Sequence, residues 1–84
     1  MNICFLIGEI ISEVQFEFIL NSKNNSILTF ELKLSNGSII EVQAFNEIAD
    51  YCFRELKIGD IVFICGSIKS NIVLLKEIII NIDI

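Results

Sequence analysis

Three cysteines, eleven acids, six bases and no histidine set the chemistry open to this chain of 84 residues. Without histidine, the usual general base and the commonest metal ligand are both missing. Cys4, Cys52 and Cys65 are odd in number and form no CxxC pair, and each sits in an apolar run. They are expected to be buried, reduced thiols of a cytosolic protein, not a disulfide framework or a metal site. No Gly-rich phosphate loop is present, and no Gly-Lys pair from which a Walker motif could be built. The acids fall in no stretch that reads as a pocket. The chain is therefore expected not to be an enzyme, and to carry no cofactor or metal. What remains is binding chemistry. Phe45 ends an alternating stretch on its outward register, which suits a platform for stacking one base, worth about 1–3 kcal/mol. The same position, just before a helix, also suits a ring packed under a cap. Lys33 and Lys69 are placed either to meet phosphates or to act as solvated edge lysines that discourage sheet aggregation. Glu31 and Glu41 share the outward face and would repel a phosphate chain.

The stretch Ser38 to Ile68 positions these residues. Ile40, Val42 and Ala44 alternate with Ile39, Glu41, Gln43 and Phe45, the period of a half-buried strand. Asn46 then stands where a helix N-cap is expected, with Glu47 and Asp50 in the first turn, where the helix dipole favours acids. Ala49, Cys52, Phe53 and Leu56 form one apolar stripe at helical spacing. Gly59-Asp60 makes a turn, and Ile61 to Cys65 is an apolar run of strand length ended by Gly66. Upstream, Asn2 to Leu20 reads as one long strand-like region bent near Gly8, since a glycine inside a strand allows a sharp bend. Val14, Phe16, Phe18 and Leu20 alternate there with Gln15, Glu17 and Ile19. A polar loop follows at Asn21 to Asn25. From Ser26 to Leu34, Leu28, Phe30, Leu32 and Leu34 point inward. Ser35-Asn36-Gly37 is a hairpin turn, because Asn-Gly accepts the positive φ such turns need. Lys69 to Asn71 is a second short turn, and Ile72 to Ile84 is the last strand. The expected core includes Leu28, Phe30, Leu32, Ile40, Val42, Ala49, Phe53, Ile61 and Phe63.

Eighty-four residues make one domain, 1–84, near the low end of what a core can stabilise alone. The hydrophobic fraction of 54% exceeds that of typical soluble chains. The net charge of −5 argues against an electrostatic grip on phosphates over the whole surface. A signal peptide is not expected, since Asn2 is followed directly by strand-like residues with no basic n-region, and no apolar run approaches a membrane span. On the first strand, Cys4 and Leu6 occupy one face and Ile3, Phe5 and Ile7 the other. A barrel wall needs only its inner face apolar, so Ile3, Phe5 and Ile7 are expected to meet a second copy in a homo-oligomer, a dimer or tetramer. The alternative is that the last strand, with Ile79 on its outer register, covers them within one chain.

Five strands with one α-helix between the third and fourth is the order of the OB-fold, an all-β, partly open barrel that commonly binds oligonucleotides. The segments FLIGEI, ILTFELKL, VQAFNEIADYCFREL and KIGDIVFICGSI, in that order, resemble the bacterial single-stranded DNA-binding protein family. The primosomal replication protein is a near relative of the same fold. The resemblance covers nearly the whole chain, and its Phe-helix-Gly-strand block is the most specific part. It implies single-stranded DNA as partner, Phe45 at a stacking position and assembly through the first strand. The departures are equally plain. There is no tryptophan, Ile39 stands where the family carries an aromatic, and the turns at Ser35–Gly37 and Lys69–Asn71 replace long hairpins. The family's acidic-tipped tail is not expected, since the sequence stops at Ile84. Two functions follow: a minimal module binding single strands weakly and without sequence preference, or a degenerate barrel acting as a protein-interaction or oligomer-forming subunit.

Overall fold

A computed structural model describes residues 2–19 and 25–81. Seven elements follow in order: β1 (Cys4–Ile10), β2 (Gln15–Ile19), β3 (Asn25–Leu34), β4 (Ile39–Phe45), α1 (Asn46–Glu55), β5 (Ile61–Lys69) and β6 (Ile72–Ile80). The strands join in the order β1-β5-β6-β4-β3-β2, and a β1–β3 pairing closes the ring. β4 and β6 run parallel, and every other pair is antiparallel. With β1 and β2 counted as two halves of one barrel strand, this is the expected five-stranded OB barrel with a helix between strands three and four. Asn25, expected to end the Asn21–Asn25 loop, already belongs to β3; Leu20, the rest of that expected loop and the expected reach of the last strand to Ile84 lie outside the described residues.

The first strand region breaks at a stretch with neither glycine nor proline. β1 runs through Gly8 to Ile10, and the chain bends at 11–14. Gly8 nevertheless has the closing role. Its residue pairs with Val62 of β5 on one side and Leu34 of β3 on the other. A Cβ there would lie 2.6 Å from the Lys33 carbonyl oxygen and 2.7 Å from Leu32 Cγ. Only glycine lets β1 pass so close to β3.

The β3–β4 hairpin turns as Leu34 N–H donates to Ser38 O at 2.8 Å and Gly37 N–H to Leu34 O at 2.9 Å. Gly37 takes the positive φ of 89° in a three-residue turn, and Asn36 instead accepts the Ser38 N–H at 2.9 Å with its side chain. The β5–β6 turn uses positive φ at both central residues, Ser70 and Asn71, the twist that suits a two-residue hairpin.

The core is one cluster. Ile10, Leu28, Leu32, Val42, Ala49, Cys52, Val62, Ile64 and Val73 are fully buried, with Phe30 close behind. Four expected core residues are not fully buried. On β5 the inner register belongs to Val62 and Ile64, while Ile61 and Phe63 are only half-buried. An unbroken apolar run carries no period, so pairing decides the register: Ile7, on the outer face of β1, stands opposite Phe63. Phe53 is 56% exposed and leans on Phe16, ring centroids 4.8 Å apart. Ile40 is half-buried. α1 buries Ala49 and Cys52, with Leu56 at its C-cap, and packs against β3, β4 and β6, so it closes one end of the barrel.

Candidate nucleic-acid interface

The outer face of β3 and β4 carries the candidate residues. The hairpin register pairs Ile27 with Phe45, Glu31 with Glu41, and Lys33 with Ile39. Phe45 and Ile39 both point outward, six residues apart on β4, so about 20 Å separates them along the strand. Phe45 is 39% exposed and Ile39 57%. Lys33, directly opposite Ile39, is exposed. Lys69 joins the same face by register, because it pairs with Ile72, which in turn pairs with Glu41. All four candidates therefore share one face. It has a ring and Ile27 at one end, Lys33 and Ile39 at the other, and two glutamates between. Like charges directly opposite disfavour each other, and Glu41 is steadied by Gln43, whose Nε2 donates to its Oε2 at 3.1 Å.

Asn46 holds Phe45 in place, though not by capping the helix. The N-cap position is Phe45, in extended backbone, with no side-chain cap bond. Asn46 takes φ of +55°, which turns the chain sharply from β4 into α1. Its side-chain oxygen accepts the Ser26 N–H at 3.2 Å, and the Ser26 hydroxyl donates back to the Asn46 carbonyl at 3.5 Å. The carboxamide thus ties the β4–α1 corner to β3, and Phe45 is carried on extended backbone ahead of the corner. As the expected N-cap, Asn46 would accept from the first helical N–H groups, but its side chain accepts from Ser26 of β3. The tertiary neighbour won instead.

Ile27 is the residue sequence reasoning missed. Half-buried and opposite Phe45, it forms the floor beside the ring. Counting outward from the Ser35–Gly37 turn would have found it, since the turn fixes the hairpin register.

A second outward face is apolar. Ile3 is 50% exposed, Phe5 64% and Ile7 50%. Phe5 stacks on Phe63 of β5 at 6.0 Å, and Ile79 of β6 lies opposite Phe63. Ile79 is itself 55% exposed, so it lies beside the β1 residues and does not cover them. Cys4 and Leu6 turn inward against the core, as alternation requires. The Asn2 side chain both donates to the Ile68 carbonyl and accepts its N–H, extending the β1–β5 contact. β3 meets β1 only at Gly8 to Ile10, so the other edge of Cys4–Ile7 carries no strand among the described residues. No described helix is long and apolar enough to cross a membrane.

Fold and face together define an OB barrel of the type found in single-stranded DNA-binding proteins. The structure is similar to the single-stranded DNA-binding protein domain of a Synechococcus protein, at a TM-score of 0.80 and 15% identity over 93% of each chain. It is similar to the small single-stranded DNA-binding protein of Streptomyces coelicolor, at 0.78 and 16% identity, covering 90% of this chain and 88% of that one. The dimeric N-terminal domain of PriB protein from Thermoanaerobacter tencongensis follows the same fold, at 0.74 and 16% identity over 98% of each chain. No protein-family model matches the sequence. No curated protein matches it either.

Proposed function

We propose that this domain is a minimal single-stranded DNA-binding module that holds single strands weakly and without sequence preference. The observation that carries the reading is Phe45, a half-exposed ring on the open outer face of an OB barrel. Stacking on a ring is indifferent to base identity, because every base has a π-face. Lys33 and Lys69 supply phosphate contacts, and Ile39 and Ile27 supply apolar surface in place of further aromatics. The bases belong at the ends of the face, since Glu31 and Glu41 repel phosphates at its centre.

Titration with a fluorescently labelled oligo-dT at low salt tests this. Binding should fall steeply as salt rises, because released counterions carry much of the affinity. Phe45→Ala should weaken it about tenfold, the lower part of the stacking range. No binding at low salt would rule the reading out.

The Glu31–Glu41 pair favours a second reading, a barrel that serves as a protein-interaction or oligomerisation subunit and no longer holds nucleic acid. Both readings share one expectation. The domain assembles into a dimer or tetramer through Ile3, Phe5 and Ile7, whose outward side chains continue into Phe63 and Ile79. The dimer described for the PriB domain, of the same fold, supports it.

A further inference from the structure

β6 keeps two strand neighbours over only part of its length. Its parallel pairing with β4 covers Ile72 to Leu74, whereas its pairing with β5 continues to Ile80. Beyond Leu74, the edge away from β5 has no strand beside it among the described residues. One bond sets the phase of that edge. Asn81 N–H donates to Ile61 O at 2.7 Å. Antiparallel ladders alternate, so Glu77 and Ile79 also turn their N–H and C=O toward β5, and Ile78 and Ile80 turn theirs outward. Lys76 is the bulge residue, unpaired because Cys65 meets Glu77 and Gly66 meets Leu75. The bulge ends the usable edge at Glu77.

α1 touches β6 but leaves an open space beside this edge. An open groove of about 400 Å³ lies between them, lined by half-buried Ile48 and Ile78 and the more exposed Tyr51 and Ile79. Glu47 and Glu77 also line it, against the single ammonium of Lys76.

We propose that the groove takes an extended segment of a partner protein, added as a strand on the Ile78–Ile80 edge, with apolar side chains at alternate positions and a basic residue against Glu47 and Glu77. The N–H and C=O groups that meet no described strand call for one, and the isoleucines take alternate side chains, the usual division in strand addition. Charge decides the occupant. A phosphate chain would meet two carboxylates. A second copy docking through this same edge would bring its own Glu47 and Glu77 against these, on a chain already at −5. A basic, apolar strand meets neither obstacle. The site is separate from the Phe45 face, so it stands or falls apart from the nucleic-acid reading.

The test is a titration of ¹⁵N-labelled protein with a short capped peptide of alternating valine and lysine, followed by NMR. Shifts should concentrate at Glu47 to Tyr51 and Glu77 to Ile80, and the Ile78 and Ile80 amides should exchange more slowly once peptide is bound. Glu47→Gln with Glu77→Gln should weaken binding about tenfold, from the loss of two charge contacts. A peptide N-methylated along its docking edge should not bind. The proposal is overturned if millimolar peptide leaves these residues unmoved, if the N-methylated peptide binds equally, or if raising the protein concentration alone protects Ile78 and Ile80, which would make a second copy the occupant.

Discussion

Two side chains show how the barrel changes the properties of single residues. Cys52, on the inner side of α1, is fully buried, and burial pushes its thiol from 9.0 up to about 11. The unfolded thiol loses its proton near pH 9 and the folded one only near 11. Between those values the unfolded state holds fewer protons, so the Cys52 contribution is complete below pH 9 and is lost as pH rises to 11. Urea midpoints of the wild type and Cys52→Ala, compared from pH 8 upward, should converge across that window. A thiol reagent at pH 8 should modify Cys4 and Cys65, both half-buried, before Cys52. Asn46 is the other case. Its φ of +55° costs an ordinary residue about 1–2 kcal/mol, and its side chain accepts a bond worth about 1 kcal/mol. Asn46→Ala should therefore lose about 2–3 kcal/mol in chemical denaturation. Asn46→Gly should lose only the hydrogen-bond part, because glycine accepts the backbone angle.

At the scale of elements, the bulge on β6 explains a change of phase that alternation could not foresee. Val73 and Leu75 face inward before Lys76, and Ile78 and Ile80 after it. An odd register becomes an even one through a single unpaired residue. Gly66 makes room for it. A Cβ at Gly66 would strike the Leu74 carbonyl oxygen, a backbone atom that cannot swing aside. Gly66→Ala should cost about 3 kcal/mol or more, as overpacking against a fixed neighbour does. Gly37→Ala meets no atom within 4 Å and pays only for its φ of +89°, about 1–2 kcal/mol. Thermal midpoints of the two variants should fall in that order. Equal losses would show that the β5–β6 pairing relaxes around the added methyl.

For the whole molecule, the unbalanced feature is the apolar outer face shared by β1, β5 and β6. A domain this small leaves Ile3, Phe5, Ile7 and Ile79 each at least half exposed. Burying the three β1 residues against another copy would contribute about 1.5–3 kcal/mol each, before the entropy of association is set against it. Among the described residues no strand covers the outer edge of Cys4–Ile7, which lets two such strands meet about a two-fold axis, each matching the other. Sedimentation velocity should find the wild type assembled at micromolar concentrations. Phe5→Glu should be a folded monomer, since the charge lands on an outward position and leaves the core untouched. A monomeric wild type, or a folded Phe5→Glu that assembles as before, would end this expectation.

Sequence alone determined the strands of strict alternation. Leu28, Phe30, Leu32, Val42 and Ala44 were legible because a period of two leaves one face no alternative to the core. The same period placed Phe45, Ile39 and Lys33 outward and separated Ile3, Phe5 and Ile7 from Cys4 and Leu6. Element order, with one helix after the third strand, carried the fold. Tertiary structure decided the rest, wherever local pattern was silent. Ile61 to Cys65 is apolar throughout, so only pairing with β1 could say that Val62 and Ile64 face in. Asn46 had two sets of donors within reach, and β3 claimed its side chain. Phe53 fitted the helical stripe but fell at its margin, where Phe16 covers one side of the ring and solvent the other. The edge of β6 that meets no described strand has no signature in sequence, because it arises where β4 leaves the sheet for the helix.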